Sequence, residues 1–75
     1  MKLCNRLRER RNQHEWTQDA LAQAVGVTRQ TIIAVEQSKH EPSVRLALEI
    51  ARALGDPLED LFWLEEEATE EGAKK

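Results

Sequence analysis

Apolar residues recur along this chain at helical spacing, in short blocks separated by polar and turn-forming residues. Leu3, Leu7 and the aliphatic stem of Arg11 fall at i, i+4 and i+8, a narrow stripe that predicts a helix over about residues 2–13. Thr17 then stands where a side-chain N-cap belongs, with Asp19 in the first turn facing the positive helix end. This predicts a second helix, to about Val25, with Leu21, Ala22 and Val25 on one face. Gly26 follows, where a left-handed C-cap ends a helix. Thr28 caps a third helix, to about Gln37, with Ile32 and Val35 turned inward. Ser38 to Pro42 reads as a loop, and Ser43 as the cap of a fourth helix. The inner face of that helix is Val44, Ala47, Ile50, Ala51 and Leu54, and Gly55 ends it. Asp56, Pro57 and Glu59 supply an acidic cap, a first-turn proline and an acid for a fifth helix carrying Leu58, Leu61 and Phe62. No period-two alternation competes, so the pattern predicts an all-α, compact five-helix domain. Its core is expected to include Trp16, Leu21, Ile32, Val35, Ile50 and Leu54.

The second and third helices, hinged at Gly26, carry the chemistry. Arg29, Gln30 and Thr31 face outward on the first turn of the third helix, opposite Ile32 and Val35. This is how a helix-turn-helix is built: one helix lies across a DNA backbone and the next puts its first turn into the major groove. Arg and Gln carry forked donors and acceptors that match guanine and adenine edges.

Composition narrows the reading further. At 75 residues the chain predicts one domain, burying only about 60 % of its unfolded surface, so dimer contacts would help its stability. No apolar run approaches the roughly 18 residues of a membrane span, and charged residues recur from Lys2 to Arg11, unlike an export signal. The single Cys4 forms no internal disulfide; together these predict a cytoplasmic protein without membrane contact. The net charge of −3 divides unevenly. Residues 1–45 hold eight bases and five acids, a net of +3, and residues 46–75 three bases and nine acids, a net of −6. A basic half beside an acidic half suits one face on phosphate and another turned away. His14, His40 and Cys4 have no paired metal-ligand spacing, so no metal or other cofactor is expected. No nucleophile–base set, phosphate-cradling glycine loop or carboxylate pair occurs, so no enzyme is expected and no small-molecule effector is evident.

The residues also carry a family resemblance. Thr17-Gln18-x-x-Leu21-Ala22, Gly26-Val27-Thr28-Arg29-Gln30-Thr31-Ile32, Glu36, Pro42-Ser43 and Ala53-Leu54-Gly55 resemble the phage-repressor (Cro/CI-type, or XRE) helix-turn-helix regulators of small single-domain type. The likeness covers about residues 3–64. It implies a lambda-repressor-like fold that binds operator DNA, usually as a two-fold homodimer on a palindromic site. Carried over, it implies that Gln18 contacts a phosphate and braces the reading helix, and that Arg29, Gln30 and Ala34 face bases. It places Thr28, Thr31 and Lys39 at backbone-touching positions, and Arg11 and Glu36 where many members hold an internal ion pair. A phosphate contact by Arg11 is the alternative. Two residues depart from the pattern. Arg10 replaces an apolar residue, which implies looser packing of the first helix, and Ala34 offers only a methyl group.

Phe62, Trp63 and Leu64 cannot all face one core from one helix. They predict a dimer seam over Leu58, Leu61, Phe62, Trp63 and Leu64, the alternative being a hydrophobic clasp folded back on the first helix. Residues 1–64 then form the domain, and residues 65–75 an acidic tail without core residues. Rival functions are a DNA-binding antitoxin, a restriction–modification controller, and a protein-interaction module that does not bind DNA.

Overall fold

The computed structural model describes residues 1–66. Strand β1 (Lys2–Asn5) is followed by helices α1 (Leu7–Gln13), α2 (Gln18–Val25), α3 (Arg29–Glu36), α4 (Val44–Leu54) and α5 (Leu58–Leu61), and the chain closes on strand β2 (Phe62–Glu65). The five helices are present, but the domain is not all-α. β1 and β2 pair antiparallel, with Lys2 opposite Glu65, Leu3 opposite Leu64, Cys4 opposite Trp63 and Asn5 opposite Phe62.

The first helix therefore starts five residues later than its apolar stripe predicts. Leu3 fits either period, and the decision falls to Asn5, whose Oδ1 accepts the N–H of Leu7 at 3.0 Å and opens α1. Its amide donates at 3.1 Å to the Val35 carbonyl at the end of α3. The four residues ahead of α1 need another partner for their backbone, and β2 supplies it. The clasp alternative thus describes how Phe62–Leu64 sit within the chain, although they meet a strand rather than a helix. Leu61 and Phe62, expected at a dimer seam, are sealed in the core at 0 % and 8 % exposure. Trp63 points to the other side of the sheet, where Arg6 lies over its ring at 4.9 Å.

The core gathers Leu7, Leu21, Ala22, Ile32, Val35, Leu46, Ile50, Ala51, Leu54, Leu61 and Phe62, with Trp16 packed at its edge. Val44, expected on the inner face of α4, is exposed, and Leu46 takes the inward place. Leu46, Ile50 and Leu54 at spacing four make one stripe, and Val44 lies off it. Thr17, Thr28 and Ser43 each accept a first-turn N–H, from Ala20, Thr31 and Leu46. Helices α1 to α4 all end on a residue in the left-handed region: Glu15, Gly26, Ser38 and Gly55. In each, the next residue's N–H reaches five positions back, as from Trp16 to the Arg11 carbonyl.

Asp56 does not cap α5, whose N-terminal boundary residue is Pro57. Its carboxylate, 5 % exposed, instead accepts two bonds from the Arg10 guanidinium at 2.9 and 3.0 Å. His14 Nε2 also approaches it, at 3.1 Å. Arg10 is thus no source of loose packing; it ties α1 to the α4–α5 connection. Glu65 belongs to β2, so the acidic tail begins later than expected, and residues 67–75 of it lie outside the described residues.

The Arg10 guanidinium, joined by His14, holds the Asp56 carboxyl down at about 2, against its usual 3.8. A carboxyl depressed on folding stabilises the fold above its unfolded pKa, and that contribution disappears as pH falls from about 4 to about 2. Asp56→Asn should therefore lower the urea midpoint at pH 7, and the gap to wild type should close by pH 2 in a denaturation series.

Candidate nucleic-acid interface

The sequence between Thr17 and Gln37 folds as two helices at an αL turn. Gly26 adopts φ 77° with nothing within 4 Å of where a Cβ would sit, so the turn needs glycine for its backbone rather than for space. Leu21 and Ala22 on α2, and Ile32 and Val35 on α3, are buried together. This packing points the opposite side of α3 at solvent. Arg29 and Gln30 are exposed there, Thr31 and Ala34 are half-buried, and Lys39 is exposed just past the helix. Thr28 is exposed, and its Oγ is bound to the Thr31 N–H at 3.2 Å. Its hydroxyl is therefore occupied in capping α3, together with a 3.1 Å contact to the Thr31 hydroxyl.

By helical geometry the outermost stripe of α3 is Gln30, Ile33, Ala34 and Gln37, with Arg29 on its flank. The sequence reading passed over Ile33, which is half-buried beside Ala34 on this stripe. Its offset of three from Gln30 and four from Gln37 was the available signal.

Behind the stripe sits a buried polar assembly. Arg11 Nε donates to Glu36 Oε2 at 2.6 Å, with side chains 8 % and 4 % exposed. A second guanidinium nitrogen of Arg11 donates to the Trp16 carbonyl at 2.8 Å and to Asn12 Oδ1 at 3.2 Å. Gln18 donates to the other oxygen of Glu36 at 3.1 Å. One carboxylate thus joins α1, the turn after it, α2 and the end of α3. Arg11, consumed by these bonds, is a strut rather than a free cation.

Beside it an open groove runs between α1 and the N-terminal ends of α2 and α3. Arg8, Arg11, Asn12, Thr17, Gln18 and Arg29 line it, with Trp16, Glu15 and Asp19. Gln18, Thr28, Arg29, Gln30, Thr31, Ala34 and Lys39 therefore occupy α3 and its flanks, whereas Leu58, Leu61, Phe62, Trp63 and Leu64 belong to the α5–β2 end. Among the described residues no three His, Cys, Asp or Glu side chains come together as a metal site, and no helix is long and apolar enough to cross a membrane.

A family model described as helix-turn-helix matches residues 7–61. The chain belongs to that family, in its XRE branch. The resemblance read from Thr17 to Gly55 is borne out, and the match spans the α1–α5 bundle without the clasp strands. The chain is 46 % identical over 63 residues to an uncharacterised HTH-type transcriptional regulator of Bacillus subtilis, covering 84 % of this chain and 96 % of the relative. It is equally similar, at the same coverage, to one from Methanocaldococcus jannaschii. A third, from Methanothermobacter thermautotrophicus, is 53 % identical over 62 residues, covering 81 % of this chain and 90 % of the relative.

Removing one member of a buried ion pair strands the other, at a cost of about 3–5 kcal/mol. Arg11→Met should cost this helix-turn-helix domain an amount in that range, against a total of about 4–11 kcal/mol for a chain this size. Arg11→Met with Glu36→Leu should recover part of it, read from urea midpoints.

Proposed function

We propose that the protein is a sequence-specific, double-stranded-DNA-binding transcriptional regulator, a cytoplasmic homodimer that reads a palindromic operator. The observation that carries this reading is the solvent-facing first turn of α3, where Arg29 and Gln30 stand exposed on a helix locked from behind by Arg11, Glu36 and Gln18. A reading helix needs both properties: free forked side chains, and a fixed angle to the helix that crosses the backbone. Family membership supports it, as do the three relatives described as transcriptional regulators.

In this reading α3 enters the major groove. Arg29 pairs with a guanine edge and Gln30 with an adenine edge, each worth about 1–3 kcal/mol of discrimination. Ala34, joined by Ile33, offers methyl contact to thymine. Gln18, Thr31, Lys39 and the exposed face of Thr28 lie against phosphates. Gln18 keeps one amide hydrogen for a phosphate while the other holds Glu36. The two-fold partner docks on apolar surface left at the clasp end: Leu64, 61 % exposed, with Leu58 and Trp63. Leu61 and Phe62 support that surface from beneath.

Selection of sites from a random duplex pool tests the DNA reading. Wild type should enrich an inverted repeat with half-sites about one helical turn, roughly 34 Å, apart, and Arg29→Ala/Gln30→Ala should lose the enrichment. Absence of enrichment by wild type at low salt would make a protein-interaction module the better reading. Leu64→Glu tests the seam: sedimentation should shift it toward monomer while its circular dichroism stays that of the folded domain, since Leu64 packs little within its own chain.

A further inference from the structure

The reading turn does not account for the groove beside it. Arg8 and Asn12 stand one turn apart on α1, on the wall opposite Arg29, and both are exposed. Arg8 is exposed and makes no ion pair among the described residues. Asn12 is oriented from behind. Arg11 occupies its carbonyl oxygen at 3.2 Å, so its amide nitrogen faces outward with both hydrogens available. A free guanidinium and a pre-aimed amide, one helical turn apart, form a donor pair suited to the oxygens of a phosphate diester.

We propose that Arg8 and Asn12 form a second anchor for double-stranded DNA, holding one backbone phosphate outside the base pairs that Arg29 and Gln30 read. The proposal rests on the DNA-binding reading above and adds a site on α1. Arg29 forms the opposite wall of the same groove, so a strand passing its base edge runs its phosphates toward α1. The floor is the start of α2, where the Thr17 side chain takes only the Ala20 N–H. That leaves the N–H groups of Gln18 and Asp19 turned to the same space. Glu15 and Asp19 also line the groove and repel phosphate. The anchor therefore falls on the α1 wall, where the neighbouring Arg11 charge is already neutralised by Glu36. Because α1 is fixed to α3 through that pair, a phosphate held by Arg8 sets the depth and tilt at which α3 meets the groove.

The test is affinity against salt concentration, on the operator recovered by selection and on a scrambled duplex of equal length. Arg8→Ala should weaken both duplexes severalfold and by the same factor. It should lower the slope of log K against log salt by about one, the share of one neutralised phosphate. Asn12→Ala should weaken both without changing the slope, since no charge is lost. Arg52→Ala removes the same charge from the exposed side of α4, away from this groove, and should leave both quantities unchanged. Melting temperatures of Arg8→Ala and Arg52→Ala should match wild type, whereas Asn12→Ala should melt lower because it also takes an acceptor from the buried Arg11. Arg8→Ala indistinguishable from Arg52→Ala overturns the anchor while leaving the regulator intact. Weakening on the operator alone overturns it too, by making Arg8 a reader of bases. Failure of wild type to bind either duplex at low salt overturns the DNA reading, and the anchor with it.

Discussion

The structure depends on a guanidinium that cannot be left alone. Arg11 is 7 % exposed, and an unpaired charge at that depth would cost more than a small domain can spare. Glu36 meets it at the far end of α3, and Gln18 at the start of α2 takes the other oxygen of the same carboxylate. The charge at the core's edge therefore acts as a positional constraint. α2 and α3 cannot rotate against each other without breaking a hydrogen bond to Glu36, and α1 cannot move without stranding Arg11. Replacing the pair with packed hydrocarbon would keep the volume and lose the fixed angles. Those angles decide which side chains of α3 face outward.

Most of the helical scaffold was legible in the sequence because its signals are local. Thr17, Gly26, Thr28, Ser43 and Gly55 act within a turn of where they stand, and the observed caps fall on them. The clasp was not legible, because strand pairing between residues 2–5 and 62–65 is decided across the whole domain. Leu3 and Leu7 satisfy the helical period as well as any real helix would. Asn5 was the only local hint, since a side chain able to accept an amide N–H marks a helix start, and its bond to the Leu7 N–H places that start. Val44 failed for a related reason. Both it and Leu46 are apolar at the start of α4, and it is the stripe Leu46, Ile50 and Leu54 that the bundle turns into the core.

The candidate site was partly legible. Arg29 and Gln30 announce themselves by type and by position after Thr28. Asp56 and Arg10 did not, since their pairing joins residues forty-six apart and each has a separate reading in the sequence, one as a cap and one as a departure from the family pattern. Arg8 and Asn12 were hidden by their ordinariness on a charged helix. What distinguishes them is the bond Arg11 makes to the Asn12 oxygen, which exists only once Glu36 has drawn Arg11 inward.

The clasp also imposes an order on assembly. Contacts of the helix-turn-helix lie close in sequence, so α2 and α3 can find each other quickly and early. β1 is made first, yet its partner lies about sixty residues along, and closing a loop of that length is entropically costly until the helices have already drawn the ends together. The first strand thus waits, extended and unpaired, while the bundle forms around Leu21 and Ile32. It is secured only when Leu61 and Phe62 dock. During synthesis this leaves the helix-turn-helix half of the fold complete before the segment that locks it, and makes β1 the last element to become structured although it is made before every helix.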